Sequence, residues 1–132
     1  MEGGSRATVE KTILLVDDYR HSREGLRNSL LSGGYKVETA ADSWEAIKKM
    51  KGGRIEVAIV DLDLPPVHGV AVSGWDLVRI LRAFNPAVSI IVVGSEGGSD
   101  VKAEAARLKV SEFLEKPVTP AKVKAIMKAL DP

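Results

Sequence analysis

The 132-residue chain contains no cysteine, which excludes thiol catalysis, thiolate-held metal and disulfide staples. Such a composition fits a reducing compartment without demanding one. Charge of one sign is also lacking: 19 basic residues against 18 acidic ones leave a formal net charge of +1. The molecule as a whole therefore exerts no long-range pull on nucleic acid or an anionic membrane, and any function has to come from local clusters. Long apolar runs are absent too, the longest being four residues, as in IIVV. Nothing at the start resembles a signal-peptide core, so the sequence reads as that of a soluble, cytoplasmic protein without a membrane partner.

What is present is enough for one core. Hydrophobic residues make up 45% of the chain, and a domain of this length buries about two-thirds of its unfolded surface. Residues 1–10, MEGGSRATVE, are polar and Gly-rich without periodicity and read as a flexible tail, leaving 11–132 as a single domain. From there short apolar runs, ILLV (13–16), YKVET (35–39), VAIV (57–60), IIVV (90–93) and EFL (112–114), predict five strands.

Between the strands lie apolar stripes at helical spacing: Leu26 and Leu30; Leu77, Ile80, Leu81 and Phe84; Val101, Ala105 and Leu108; Val123, Ile126, Met127 and Leu130. Asp42 with Glu45 makes a capping-box-like start, Thr119-Pro120 an N-cap and first helical residue, and Gly33-Gly34 a helix end. Strict β-α alternation implies an α/β fold, a doubly wound parallel sheet with helices on both faces. Ligands in such sheets bind at the carboxyl ends of the strands, where the strand order reverses.

The residues after those ends form a pattern. Asp17 and Asp18 follow ILLV, Asp61 and Asp63 follow VAIV, Gly94, Ser95 and Glu96 follow IIVV, and Lys116-Pro117 comes soon after EFL. A lone aspartate here is more often a helix cap than a ligand, and a lone lysine more often a solvated one. Four aspartates on one rim are another matter, because two unit charges about 4 Å apart repel by roughly 4 kcal/mol at an effective dielectric near 20. A divalent cation resolves that conflict. Oxygen-only donors favour Mg²⁺ or Mn²⁺, and Mg²⁺ commonly shares itself with a phosphate.

ILLVDD, VAIVDLDLPP, SGWDLVRILR and EFLEKPVTPAKV together closely resemble the receiver domain of two-component response regulators, over residues 11–131. The resemblance implies a flavodoxin-like strand order 2-1-3-4-5, an order for which a member of that family is a stock example. It implies that Asp61 is the phosphoacceptor, taking a phosphoryl group from a histidine kinase, a phosphotransfer protein or a small phosphodonor. Asp18 and Asp61 would then bind Mg²⁺ directly with the backbone carbonyl of Asp63, Asp17 would act through a bound water, and Lys116 would pair with the phosphoryl oxygens. A downstream effector and a homodimer are further family expectations, whereas direct nucleic-acid binding is not. The strand would aim Asp61 at the metal, with Pro65 and Pro66 helping to stop it.

Two features depart from the family pattern. The family usually carries Thr or Ser just after the fourth strand, coupled to an aromatic residue on the fifth. Here that position is Gly94, with Ser95 as a neighbour able to substitute, and the aromatic is Phe113, which lacks a hydroxyl. The family also reaches the glycine of its Gly-x-Glu-Leu element sooner: Gly69 stands at the usual distance, but GWDL begins at Gly74. PVHGVAVSG thus reads as carrying an insertion of about five residues, which surface loops tolerate at little cost, with His68 inside it. Asp63 and Glu96 would flank the phosphoryl group, and Trp75 is a candidate fluorescent reporter of Mg²⁺.

Two rivals differ in class. A haloacid-dehalogenase-like phosphatase also uses a strand followed by Asp-x-Asp, but after its first strand and in a longer chain, and it would release phosphate over many turnovers. A pseudo-receiver would have the fold without phosphorylation, and Gly94 is the feature that favours it. The expectation is a signalling phosphoacceptor rather than an enzyme, either standing alone or as part of a larger regulator.

Overall fold

The computed structural model describes residues 11–66 and 72–130. The expected N-terminal tail, His68 and Gly69 lie outside the described residues. Five strands and five helices alternate: β1 (Thr12–Val16), α1 (Arg20–Ser32), β2 (Lys36–Ala40), α2 (Ser43–Gly52), β3 (Val57–Asp61), α3 (Gly74–Phe84), β4 (Ser89–Gly94), α4 (Ser99–Arg107), β5 (Glu112–Glu115) and α5 (Pro120–Leu130). The strands form one parallel sheet in the order β2-β1-β3-β4-β5.

The apolar runs become buried strands because helices cover both faces and leave no wet side. Alternate residues divide between two cores, as the two-residue period of a strand requires. Leu14, Val16, Ala58, Val60, Ile90 and Val92 face one way and meet Ala46 and Met50 of α2 and Leu77, Val78 and Leu81 of α3. Ile13, Leu15, Val57, Ile59, Ile91 and Val93 face the other way and meet Leu26 and Leu30 of α1 and Val123 and Met127 of α5.

Several local expectations hold. Asp42 Oδ1 accepts the Glu45 N–H at 2.9 Å, while Glu45 reaches back to Ala41 N at 2.7 Å. Thr119 Oγ1 accepts from Lys122 N at 3.2 Å, and Gly34 takes a positive φ of 94° after α1. Two of the apolar stripes bury less than their spacing suggests. Phe84, the last residue of α3, is 49% exposed. Helix α4 has no fully buried residue and ends before Leu108, since its sheet contact is the short edge strand β5. At the amino-terminal pole of the sheet, Lys11 Nζ donates to the Leu130 carbonyl at 3.3 Å.

Candidate functional site

The switch point falls between β1 and β3, which pair in parallel while their onward connections run to opposite sides. Val16 is opposite Val60, Asp61 opposite Val93, and Gly94 opposite Glu115. This register brings Asp17, Asp61 and Lys116 to one rim although a hundred residues separate the first from the last.

Asp61 ends β3 and is 3% exposed. Its Oδ1 accepts the Asp63 N–H at 2.8 Å, and its Oδ2 accepts from Lys116 Nζ at 3.0 Å. The strand is therefore stopped by an Asx-type turn that Asp61 makes with its own side chain, and the prolines come only afterwards. Gly74 lies against this turn: a Cβ there would stand 2.5 Å from the Leu62 Cα and 3.1 Å from the Asp61 carbonyl oxygen. Glycine is what lets the start of α3 approach so closely.

Asp17 is nearly buried, accepting from Tyr19 N at 2.9 Å and from the Ser22 hydroxyl. Asp18 is exposed. Carboxylate oxygens from Asp17, Asp18 and Asp61 all lie within 4.8 Å of one another, a donor set able to hold a hard divalent cation. A cavity of about 480 Å³ with walls that include Leu15, Ile59, Val93 and Val118 adjoins Asp61 and Lys116.

Burial pushes the Asp61 carboxyl above its ordinary pKa, more than the Asp63 N–H and Lys116 pull it back. Asp63 is the reverse case: burial raises it, but hydrogen bonds from Lys116 and Ser95 outweigh that and hold it below the ordinary value. For Lys116, burial favours the neutral amine, and hydrogen bonds to Asp61 and then Asp63 overcome it, so its pKa is raised. One ammonium is thus shared by two carboxylates, with Asp63 Oδ2 at 3.2 Å.

The structure brings Asp17, Asp18, Asp61, Asp63 and Lys116 together. It separates the Gly94 and Ser95 alternatives: Gly94 completes β4 and offers no side chain, while Ser95 N donates to Asp63 Oδ2 at 3.0 Å. Phe113 packs inward beside Gly94 at the end of β4 and Gly97 in the loop after it. Its ring lies 3.4 Å from a Cβ built on Gly94 and 2.8 Å from one built on Gly97. Trp75 is half-buried on the α2–α3 core. Two contacts escape the sequence reading. The Asp63 carboxylate, expected on the rim, takes contacts from Lys116 and the Ser95 N–H that were not foreseen, and Ser73 with Asp76 forms a capping box on α3, with Asp76 N donating to Ser73 Oγ at 3.0 Å and Ser73 N to Asp76 Oδ2 at 3.3 Å. The Ser-x-x-Asp spacing ahead of an apolar stripe is the signal that would have found the second.

Residues 13–128 match the response regulator receiver domain model. The chain belongs to the response regulator receiver family. The response regulator MprA of a Mycobacterium species is 33% identical over 124 residues, covering 89% of this chain and 49% of that protein. The chain thus spans about half the length of the curated relatives it matches. A response regulator receiver protein from Pseudomonas putida shares 31% identity at a TM-score of 0.81, over 93% of this chain and 99% of that one. The response regulator TrrA from Thermotoga maritima, solved in complex with Mg²⁺-BeF, shares 28% identity at a TM-score of 0.75, over 91% and 98%. The receiver fold and its 2-1-3-4-5 order are as expected, and no helix among the described residues is long and apolar enough to cross a membrane.

Proposed function

We propose that this receiver domain takes a phosphoryl group onto Asp61 from a histidine kinase or phosphotransfer protein, and that the change in charge alters its binding of a downstream effector. The observation that carries the reading is the joint geometry: three carboxylates with oxygens within 4.8 Å, and Lys116 at 3.0 Å from the most buried of them. An all-oxygen set fits Mg²⁺, and Mn²⁺ as a substitute, with Asp18, Asp61 and the Asp63 carbonyl as direct ligands and Asp17 acting through water. The cation would supply charge neutralisation at the phosphoryl oxygens. TrrA, the relative solved with Mg²⁺-BeF, is in keeping with this assignment.

Phosphoryl transfer asks a protein for positioning and charge compensation more than for covalent help. An Asp61 carboxylate oxygen forms a bond to phosphorus as the phosphorus–nitrogen bond of a phosphohistidine breaks. The departing imidazole nitrogen keeps the bonding pair and takes a proton from solvent, and Asp61 becomes an acyl phosphate. Lys116 stays protonated and pairs with the phosphoryl oxygens. The activity is self-modification and its hydrolytic reversal rather than turnover of a substrate.

With Mg²⁺ and acetyl phosphate the intact protein should gain about 80 Da, one phosphoryl group on an activated carboxylate. The Asp61→Asn variant should gain nothing. Equal labelling of both proteins would move the acceptor elsewhere, and sustained phosphate release from small esters would favour a phosphatase. Gly94 supports a second reading, a pseudo-receiver that binds partners unphosphorylated, which an unlabelled wild type would favour.

A further inference from the structure

We propose that the Asp63 side chain is a built-in competitor for the phosphoryl group, holding the donors that an acyl phosphate on Asp61 needs. The inference rests on the phosphoacceptor reading and adds to it a residue whose own carboxylate must leave before the site can load.

Asp63 Oδ2 accepts from the Ser95 N–H at 3.0 Å and lies 3.2 Å from Lys116 Nζ. The same ammonium is 3.0 Å from Asp61 Oδ2. A phosphoryl group on Asp61 Oδ2 would carry its free oxygens into reach of that ammonium, where the Asp63 oxygen already stands. Donors are scarce at this rim. Gly94 brings no hydroxyl, and among the described residues the groups that donate to Asp61 or Asp63 are Lys116 Nζ, the amides of Asp63 and Ser95, and the Ser95 side chain. Two anions therefore contend for one lysine and the Ser95 donors.

The competitor is tethered two residues from the nucleophile, so its local concentration is high and independent of the phosphodonor supply. Its contacts are half-exposed, with side-chain exposures of 37% for Lys116 and 42% for Asp63, which keeps the competition modest. A dianionic phosphoryl group wins against one carboxylate once attached. When it does, the bond from Ser95 to Asp63, which ties the loop after β4 to the loop after β3, is exchanged for a bond to phosphate. That exchange gives the domain a loop rearrangement on phosphorylation that needs no hydroxyl at Gly94.

The test compares the intact protein with Asp63→Asn, Asp63→Ala and, as a control, Glu112→Gln, which removes one charge from an exposed residue at the start of β5, away from the rim. Each is given Mg²⁺ and acetyl phosphate, and the initial rate of mass gain is read beside the amide resonance of Ser95. Both Asp63 variants should label faster, by up to about fivefold, the scale a half-exposed ion pair supports. The Ser95 amide proton should move upfield in unphosphorylated Asp63→Ala, and Glu112→Gln should match the wild type in both readouts. Labelling of wild type and Asp63 variants at equal rates overturns the competitor while leaving Asp61 as acceptor. An equal acceleration by Glu112→Gln, or an unmoved Ser95 amide, also overturns it. Labelling confined to the Asp63 variants would support it in its strongest form, and no labelling of any protein would overturn both readings.

Discussion

At Asp61 two demands oppose each other: the strand buries the carboxylate, and the proposed phosphoryl transfer needs it ionised. Because burial raises its pKa, the folded chain binds a proton between the ordinary value of 3.8 and the raised one that the unfolded chain releases. Stability therefore falls as pH rises through that window and stays lowered at neutral pH. In metal-free buffer at neutral pH, Asp61→Asn should raise Tm by about 3 °C, the equivalent of ~1 kcal/mol for a domain of this size. Below 3.8 the gain should shrink, because the wild-type carboxyl is then protonated in both states. Calorimetry that finds the variant no more stable at neutral pH would contradict the account. Asp63 and Lys116 carry the opposite sign. The Asp63 contribution is present above its ordinary pKa and lost as pH falls through its lowered one, and that of Lys116 persists until pH climbs through its raised one. The convergence of Asp17, Asp18, Asp61 and Lys116 on one rim was legible because each follows a strand whose end is visible in the sequence. The partners of the Asp63 carboxylate were not, because its direction depends on the turn that Asp61 makes for itself.

Among the elements, the junction of β3 and α3 is the least forgiving. A Cβ on Gly74 would meet backbone atoms, which cannot swing aside as a flexible side chain can. Gly74→Ala should lower unfolding free energy by about 2 kcal/mol, within the range for forced overpacking, seen as an earlier urea midpoint at unchanged slope. An alanine variant as stable as the wild type would show that α3 starts farther from the Asp61 turn. β1, β3 and β4 could be read directly because burial on both faces makes them continuous apolar runs. The edge strand β2 shows only partial burial, and its register was correspondingly less visible. Spacing alone placed Phe84 and the α4 stripe inside, but burial also requires a neighbour opposite, and the helix end and the short β5 do not supply one.

For the whole molecule, alternation of strands and helices was enough to specify a parallel sheet, while the order of its strands came through family resemblance. No local pattern distinguishes which crossover goes to which side. The assembled rim makes a linkage prediction: a ligand bound only by the folded state stabilises it, by about 2.7 kcal/mol at a hundredfold excess over Kd. Mg²⁺ should raise the wild-type Tm in a concentration-dependent way, and it should do so far less for the Asp18→Asn, Asp61→Asn double variant. Equal Mg²⁺ responses in thermal melts would place the cation outside the rim.

The bond from Lys11 to the Leu130 carbonyl closes the fold into something like a ring with a clasp. Polypeptide entering before β1 and leaving after α5 shares one corner, so the unit is suited to insertion within a longer chain or to circular permutation across that corner. The clasp lies at the far end of five-residue strands, about 16 Å from the proposed phosphoryl site at about 3.3 Å per residue. A module fused at that corner has to sense the signal through the packed body of the sheet rather than by meeting the phosphate.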